Sequence, residues 1–435
     1  MHYLLNNPGT FWFKDDEENK FNGSIIEENN HYFLKTDIKM EDYPKYHNKE
    51  IIIGYVNKTK ITLYKSHLWN PFETLTFSID YIFKNYDYNS NLNFKEITLR
   101  FHNLENWIRN KKIFPMNFNN NYKNLTEYKL VKIKLKKFEI IFSLGNSVNS
   151  TDISFCIKPH YLIQIIYENK TPIETILKDI NIIKKFLSFS MHNETEIKLM
   201  TCMVDNEFNP FNKIEVYSKL FDRTNEKINS FDILIEFDEI EDMQLIISNW
   251  FKISEKYKPL LDIYFMNFTN ESYLEYQFLS YSQALESYLR KNEKYLDNYM
   301  EIDEYENIKN QMNDFIGELI KNEDHKNSLK NKIKFGNEIS LRKRLKELTN
   351  DLKNYKIINK IIDGNKNNFI SEVVNARNYY THYDDSSNFK KDNEKLRILT
   401  FKLKILIELI ILKELEFDKE FIDDKLMIKY EKLVF

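Results

Sequence analysis

The sequence predicts an α+β protein in two parts: a mainly-β N-terminal region over residues 1–260 and an α-helical bundle over residues 261–435. Three observations carry this. All eight prolines, Pro8 to Pro259, and all four tryptophans, Trp12, Trp69, Trp107 and Trp250, precede residue 260, and neither residue type occurs after it. Proline interrupts helices and marks turns and strand edges, so its loss announces long helices. Strand-like runs bounded by turn residues dominate before that point, and helical spacing dominates after it. At 435 residues and 52.9 kDa the chain is also longer than one core normally serves.

Element by element, Ile51 to Val56, a turn at Asn57-Lys58-Thr59 and then Lys60 to Tyr64 spell a hairpin. Asn22-Gly23 reads as another turn. Tyr32, Leu34, Thr36 and Ile38 alternate as one face of a half-buried strand should. Further strands are expected at Glu96 to His102, Tyr128 to Lys134, Phe138 to Leu144 and Ile153 to Ile157. From about Thr171 to Met191 the spacing turns helical. Strands return near Glu196 to Val204, Lys213 to Ser218 and Phe231 to Phe237, and Met243 to Tyr257 reads as a helix leading to Pro259. A division into two subdomains near 150–170 is an open alternative. The C-terminal helices are expected at Tyr273 to Tyr295, Asp303 to Lys321, Ser340 to Asn350, Phe369 to His382 and Asn393 to Leu415. Gly336 and Gly364 fall in connections and Asp384 to Asn393 forms a loop; such short links favour antiparallel neighbours.

Composition narrows the functional classes. Net charge is −3 with a pI near 6.4, so no global field draws nucleic acid, and any RNA affinity must come from a local patch. Cys156 and Cys202 have no metal or redox spacing and read, with no secretory signal, as reduced thiols of a cytoplasmic protein. The strongest apolar run, Leu403 to Leu412, is broken by Lys404 and Glu408; it reads as a core helix, with no membrane span expected. Abundant Ile, Lys and Asn beside only two alanines, Ala284 and Ala376, point to an AT-rich bacterial genome. With seven glycines and no Gly-x4-Gly-Lys there is no P-loop, and His192-Asn193-Glu194 lacks the Cys-x-x-Cys of a zinc deaminase. No cofactor or metal is expected.

The chemistry concentrates in Asn375-Ala376-Arg377-Asn378-Tyr379-Tyr380-Thr381-His382-Tyr383. On a helical wheel Ile370, Val373, Val374, Arg377, Tyr380 and Thr381 share a stripe, and Arg377 is the misfit. A guanidinium there must be paired, line a cleft or sit in an interface, because burying it alone is too costly. Asn378 and His382 are i,i+4 neighbours, so the amide can orient the imidazole. An always-charged arginine beside a histidine that titrates near neutrality suits binding and cleavage of an RNA phosphodiester without a metal. Arg377 and His382 lie roughly 140° apart on one helix. Either the helix ends near Thr381, or two chains bring their motifs together; pairing of two chains is favoured. Arg-x4-His arises easily by accident in a chain with eight arginines and nine histidines. Its weight therefore comes from its place on an apolar helix and from the adjoining Asn378.

Other residues are secondary candidates. Glu286 either pairs with Arg377 or makes an i,i+4 contact with Arg290. Arg342 and Arg344, in Leu341-Arg342-Lys343-Arg344-Leu345, either hold RNA backbone or form a solvated helix face. Tyr379, Tyr380 and Tyr383 could stack on a base, with Tyr380 better placed for the core.

Arg377-Asn378-x3-His382, with a polar loop and a long apolar last helix, resembles the HEPN superfamily, whose signature is Arg-x(4–6)-His. Gln283-Ala284-Leu285-Glu286-Ser287-Tyr288-Leu289-Arg290 is similar to the first helix of ApeA-type HEPN domains, although Leu289 stands where a His is expected. The opening Gly9-Thr10-Phe11-Trp12-Phe13 and the strand pair at Asn22 to Ile38 are similar to the ApeA N-terminal domain. The resemblance implies a bacterial anti-phage, abortive-infection ribonuclease acting as a homodimer. It suggests tRNA as the RNA cut, and an N-terminal region that senses a phage-derived trigger and restrains the bundle. The competing expectation is a HEPN-like module that has lost activity and binds RNA or a protein.

Overall fold

The computed structural model describes Met1 and residues 3–29, 31–42, 49–70, 73–86, 92–108, 128–151, 154–204, 213–221, 232–269, 272–382 and 392–434. By packing, the chain divides into two compact units, Met1–Ser248 and Asn249–Phe435.

The first unit is built on strands β1 (Pro8–Phe13), β2 (Phe21–Glu28), β3 (His31–Lys39), β4 (Ile51–Val56), β5 (Thr59–Asn70) and β6 (Thr74–Lys84). They pair antiparallel in the order β3-β2-β1-β4-β5-β6, and β3 returns to pair with β6 (Leu34 opposite Phe77), closing a barrel. Closure leaves no free edge between these strands, the usual remedy for an aggregation-prone sheet. Phe11, Phe13, Phe21, Leu34, Leu63 and Phe77 fill its interior. Gly54 lies opposite Phe11, and a Cβ there would stand 2.4 Å from the Phe11 ring. The hairpin expected at 51–64 is β4–β5, and the alternation of Tyr32, Leu34, Thr36 and Ile38 is the buried face of β3.

Asn22-Gly23 is a correction: it lies inside β2, with Gly23 paired to Gly9 and Thr36. The glycine serves close approach, since a Cβ would meet the Lys35 carbonyl at 2.7 Å.

Six more strands extend the sheet: β7 (Asn93–Phe101), β8 (Tyr128–Lys134), β9 (Phe138–Thr151), β10 (Ser154–Pro172), β11 (Ile197–Met203) and β12 (Ile214–Tyr217). From β6 the order continues β12-β11-β7-β10-β9-β8. β6 therefore serves twice: residues 74–79 close the barrel on β3, and Ile82–Lys84 carry the sheet on to β12. A short helix α1 (Leu104–Trp107) precedes α2 (Ile173–Met191), whose Ile176, Ile180, Ile183 and Phe186 are buried at helical spacing. The Tyr167 hydroxyl donates to Asp179 (3.0 Å) and ties α2 to β10.

The strand expected at Phe231 to Phe237 is also corrected. Ile233, Leu234 and Ile235 are buried in succession without alternation, and a 3-10 turn follows at Phe237–Glu239. The amides of Leu234 and Ile235 both reach the Ser190 carbonyl, and the Trp107 indole donates to Ile235 O at 2.8 Å.

The division between units falls within α3 (Met243–Lys256). The second unit is helical: α4 (Lys258–Thr269), α5 (Leu274–Lys291), α6 (Ile302–Leu319), α7 (Glu323–Lys334), α8 (Leu341–Asp351), α9 (Lys356–Ile361), α10 (Lys366–His382), α11 (Asn393–Glu414) and α12 (Lys419–Val434). The α+β class and the five expected C-terminal helices stand; α4, α7, α9 and α12 were not anticipated. α11 runs through the core, buried from Ile405 to Leu412 and packed on α5 and α12. Its one buried carboxylate, Glu408, accepts from Tyr264 (2.8 Å) and pairs with Lys429. Among the described residues no helix is long and apolar enough to cross a membrane. The loop expected at Asp384 to Asn393 lies, through residue 391, outside the described residues.

Candidate active site

α10 buries Phe369, Val373, Ala376 and Tyr380, a 4-3-4 spacing that packs against α5 and α8. Ala376 and Ala284 are both fully buried, small residues where α10 and α5 come close. The stripe is thus rotated slightly from the expected one: Ala376, not Arg377, lies at its centre. Arg377 sits on its edge with 39% of its side chain exposed. It lines a cleft of about 610 Å³ between α10 and α5, together with Gln283, Glu286, Ser287, Arg290, Tyr380 and Thr381.

Glu286 joins two arginines across that cleft. Its Oε1 accepts from Arg290 Nη2 at 3.2 Å, and its Oε2 stands 3.9 Å from Arg377 Nη2. Both alternatives for Glu286 are therefore realised, the Arg377 contact being the looser. Arg290 also pairs with Glu338 at 3.0 Å, and Glu338 and then Glu286 hold its guanidinium above its ordinary pKa. Arg290 is the cleft residue that sequence reading passed over. The signal was its i,i+4 relation to Glu286, which puts both on one face of α5. Leu289, in the place of the expected His, is fully buried.

α10 stays helical through His382, whose side chain is exposed, as is Asn378. Thr381 Oγ1 donates back to the Arg377 carbonyl (2.6 Å), which satisfies the hydroxyl in the last turn of the helix. The helix does not swing His382 round, so Arg377 and His382 keep the roughly 140° separation of an unbroken turn. No hydrogen bond joins Asn378 to His382 among the described residues. Tyr379 is half-buried and meets Tyr380 edge-on at 5.0 Å, while Tyr383 lies outside the described residues.

The basic turn separates into two roles. Arg342 is at the surface and donates to Ser371 Oγ at 2.7 Å. Arg344 is a correction, for it is fully buried and not available to RNA. Its Nη2 reaches Asp297 Oδ1 (2.9 Å), and its Nε reaches the Ile339 carbonyl (3.2 Å). It clamps the two chain segments that flank α6 and α7.

A cleft lined by two arginines, one of them on a helix that ends at an exposed histidine, in a helical unit that follows a closed β-barrel in sequence, is the setting in which the comparisons fall. The family model described as ApeA N-terminal domain 1 matches residues 7–250, over half of the chain, and that described as Apea-like HEPN matches residues 279–421. No curated protein and no solved structure matches the chain. The matched spans contain the barrel with its extended sheet and the helices that carry Glu286, Arg290, Arg377 and His382. The chain belongs to the ApeA-type HEPN proteins of anti-phage defence.

Proposed function

We propose that this protein is an endoribonuclease that cuts RNA through a site shared by two copies of the chain, with no metal ion required. HEPN domains are generally nucleases, and the observation that carries the reading is the half-exposed Arg377 on the cleft with Arg290, five residues before the exposed His382 on the same helix. A scissile phosphate between the arginines would take the place that the Glu286 carboxylate now fills. His382 of one copy removes the proton of the ribose 2′-OH, and the 2′-oxygen attacks phosphorus. The bond to the 5′-oxygen breaks, and the partner's His382 protonates that leaving oxygen, giving a 2′,3′-cyclic phosphate and a 5′-hydroxyl. Arg377 stabilises the charge that grows on the non-bridging oxygens. Asn378 orients His382 in the paired state, and Arg342 and Tyr379 extend the RNA contact. tRNA is the substrate the family suggests, cut in the cytoplasm after the N-terminal unit registers a phage-derived trigger.

The 140° divergence of Arg377 and His382 within one chain fits a two-copy site and fits as well a module that binds RNA or protein without cutting it. Cleavage of total bacterial RNA in EDTA, wild type against His382→Ala, separates the two. Loss of cutting in the variant supports the ribonuclease; an equal rate in both sinks the assignment of His382. If neither cuts, also in phage-infected lysate, the binding module stands.

A further inference from the structure

The first unit also holds a cavity of about 290 Å³, walled by α2, β6, the approach to β11 and the turn that follows β12. Its walls are fixed by contacts that need no ligand. The Tyr64 hydroxyl donates to Glu174 (2.5 Å) at the start of α2, and the Tyr167 hydroxyl donates to Asp179 further along. Thr195 holds the connection from α2 to β11: its amide donates to Ser188 Oγ (3.1 Å) and its hydroxyl to the His102 carbonyl (2.6 Å). A preformed cavity of this size suits a small ligand.

The two ends of the cavity differ in chemistry. Leu177, Asn181 and Lys184 line it at i, i+4 and i+7 of α2, a span of about 10 Å. Leu177 lies one turn on from Glu174, which Tyr64 holds, and Tyr81 is the cross-strand neighbour of Tyr64. Tyr81 meets Phe221 edge-on at 6.2 Å, so this end is aromatic. At the other end Lys184 pairs with Glu196 at 2.5 Å, while Glu194 stands 3.8 Å from the same ammonium. These three are the charged residues of the lining, and they sum to one negative charge.

The aromatic end also lacks a polar partner. Tyr81 is only 7% exposed, yet among the described residues its hydroxyl makes no hydrogen bond. Buried hydroxyls are almost always bonded, so a phenol left open on a cavity calls for a ligand that supplies the partner. From the net negative end, the aromatic end and the open phenol, we infer that this cavity binds a small organic amine. Its ammonium group lies against Glu194 and Glu196, its apolar body runs past Leu177 toward Phe221, and a polar group at its far end bonds the Tyr81 hydroxyl.

The site belongs to the first unit alone and is independent of the ribonuclease reading, so the test reads heat of binding and not cleavage. Tyramine, an aromatic amine with a distal hydroxyl, is the probe. Calorimetric titration of the full chain should show one saturable site per chain. The anion 3-(4-hydroxyphenyl)propionate, which has the same body and the opposite charge, should not bind. Glu194→Gln should raise the dissociation constant for tyramine about tenfold or more. Tyr81→Phe should raise it severalfold while leaving that of phenethylamine, which lacks the hydroxyl, unchanged. Both changes nearly conserve volume, and melting without ligand checks that each variant is folded. Leu177→Trp, which fills the middle of the path, should abolish binding. No saturable binding of tyramine, equal binding of the propionate, wild-type affinity in Glu194→Gln, or equal losses for both amines in Tyr81→Phe would overturn the proposal, whatever the cleavage assay gives.

Discussion

The carboxylate of Glu286 stands 3.9 Å from the guanidinium of Arg377 while it accepts a hydrogen bond from Arg290. A contact that loose, with Arg377 39% exposed, contributes little to the fold. Arg377→Ala should therefore change the unfolding free energy by less than about 1 kcal/mol and abolish cleavage. Urea unfolding beside an RNA cleavage assay checks this; a large loss of stability would make Arg377 a structural residue.

Arg344 should behave in the opposite way. Its guanidinium is fully buried and joins Asp297 to the Ile339 carbonyl. Arg344→Ala leaves the Ile339 carbonyl without its partner, while Asp297, 53% exposed, turns to water, and should cost about 1–3 kcal/mol. Arg344→Lys should rescue only a fraction, because a point ammonium cannot reproduce the fork. Chemical denaturation of the three proteins decides it, and equal stability of the lysine variant would refute the clamp.

If His382 of two copies supplies acid and base in one site, His382→Ala subunits should poison wild-type ones. At equal amounts, random pairing leaves about a quarter of the activity shown by the same total of wild type. Independent sites would leave about half. Mixing the two proteins under conditions of subunit exchange, then measuring rate against mixing ratio, distinguishes a curve from a straight line.

Lys429 gives the helical unit a pH signature. Burial pushes its pKa down to about 8, against the opposing pull of Glu408. Between that value and the ordinary lysine value near 10.4, the unfolded chain holds a proton that the folded chain has released. The contribution of Lys429 to stability thus rises with pH across the window, by about 3 kcal/mol at most. Below it both states are protonated and the burial penalty stands in full. Comparing wild type with the pair Lys429→Met and Glu408→Gln, which leaves no buried carboxylate unpaired, isolates the effect; a difference that falls between pH 8 and 10 would contradict the burial argument.

The local pattern read well wherever a residue's neighbours in sequence are also its neighbours in space. The β4–β5 hairpin, the buried face of β3 and helix α10 are of that kind. It failed where a distant partner decides. Gly23 signals a turn by composition, yet it is needed because the Lys35 carbonyl crowds it from the next strand. Ile233 to Ile235 look like a strand, but their backbone partners are Ser190 and Trp107. Arg342 and Arg344 are two residues apart and equal in type. Only the approach of Asp297, 47 residues earlier, sends one to the surface and the other inside. Arg377 and His382 are candidates that the sequence can nominate by itself, because residue type and spacing carry the chemistry proposed for them. Arg290 was not, because only the packing of α5 on α10 shows that the two arginines share a cleft.

The double service of β6 has a consequence for how the protein is made. The barrel is complete once β6 has been synthesised, yet Lys84 meets its ion-pair partner Glu215 only 131 residues further along the chain. A ribosome needs roughly ten seconds to deliver that stretch. Throughout that interval Ile82–Lys84 of β6, paired with β5 on one side only, present an open edge to their surroundings, the kind that captures other chains. The strand that welds barrel to sheet in the finished protein is, during its birth, the place where a chaperone is most needed.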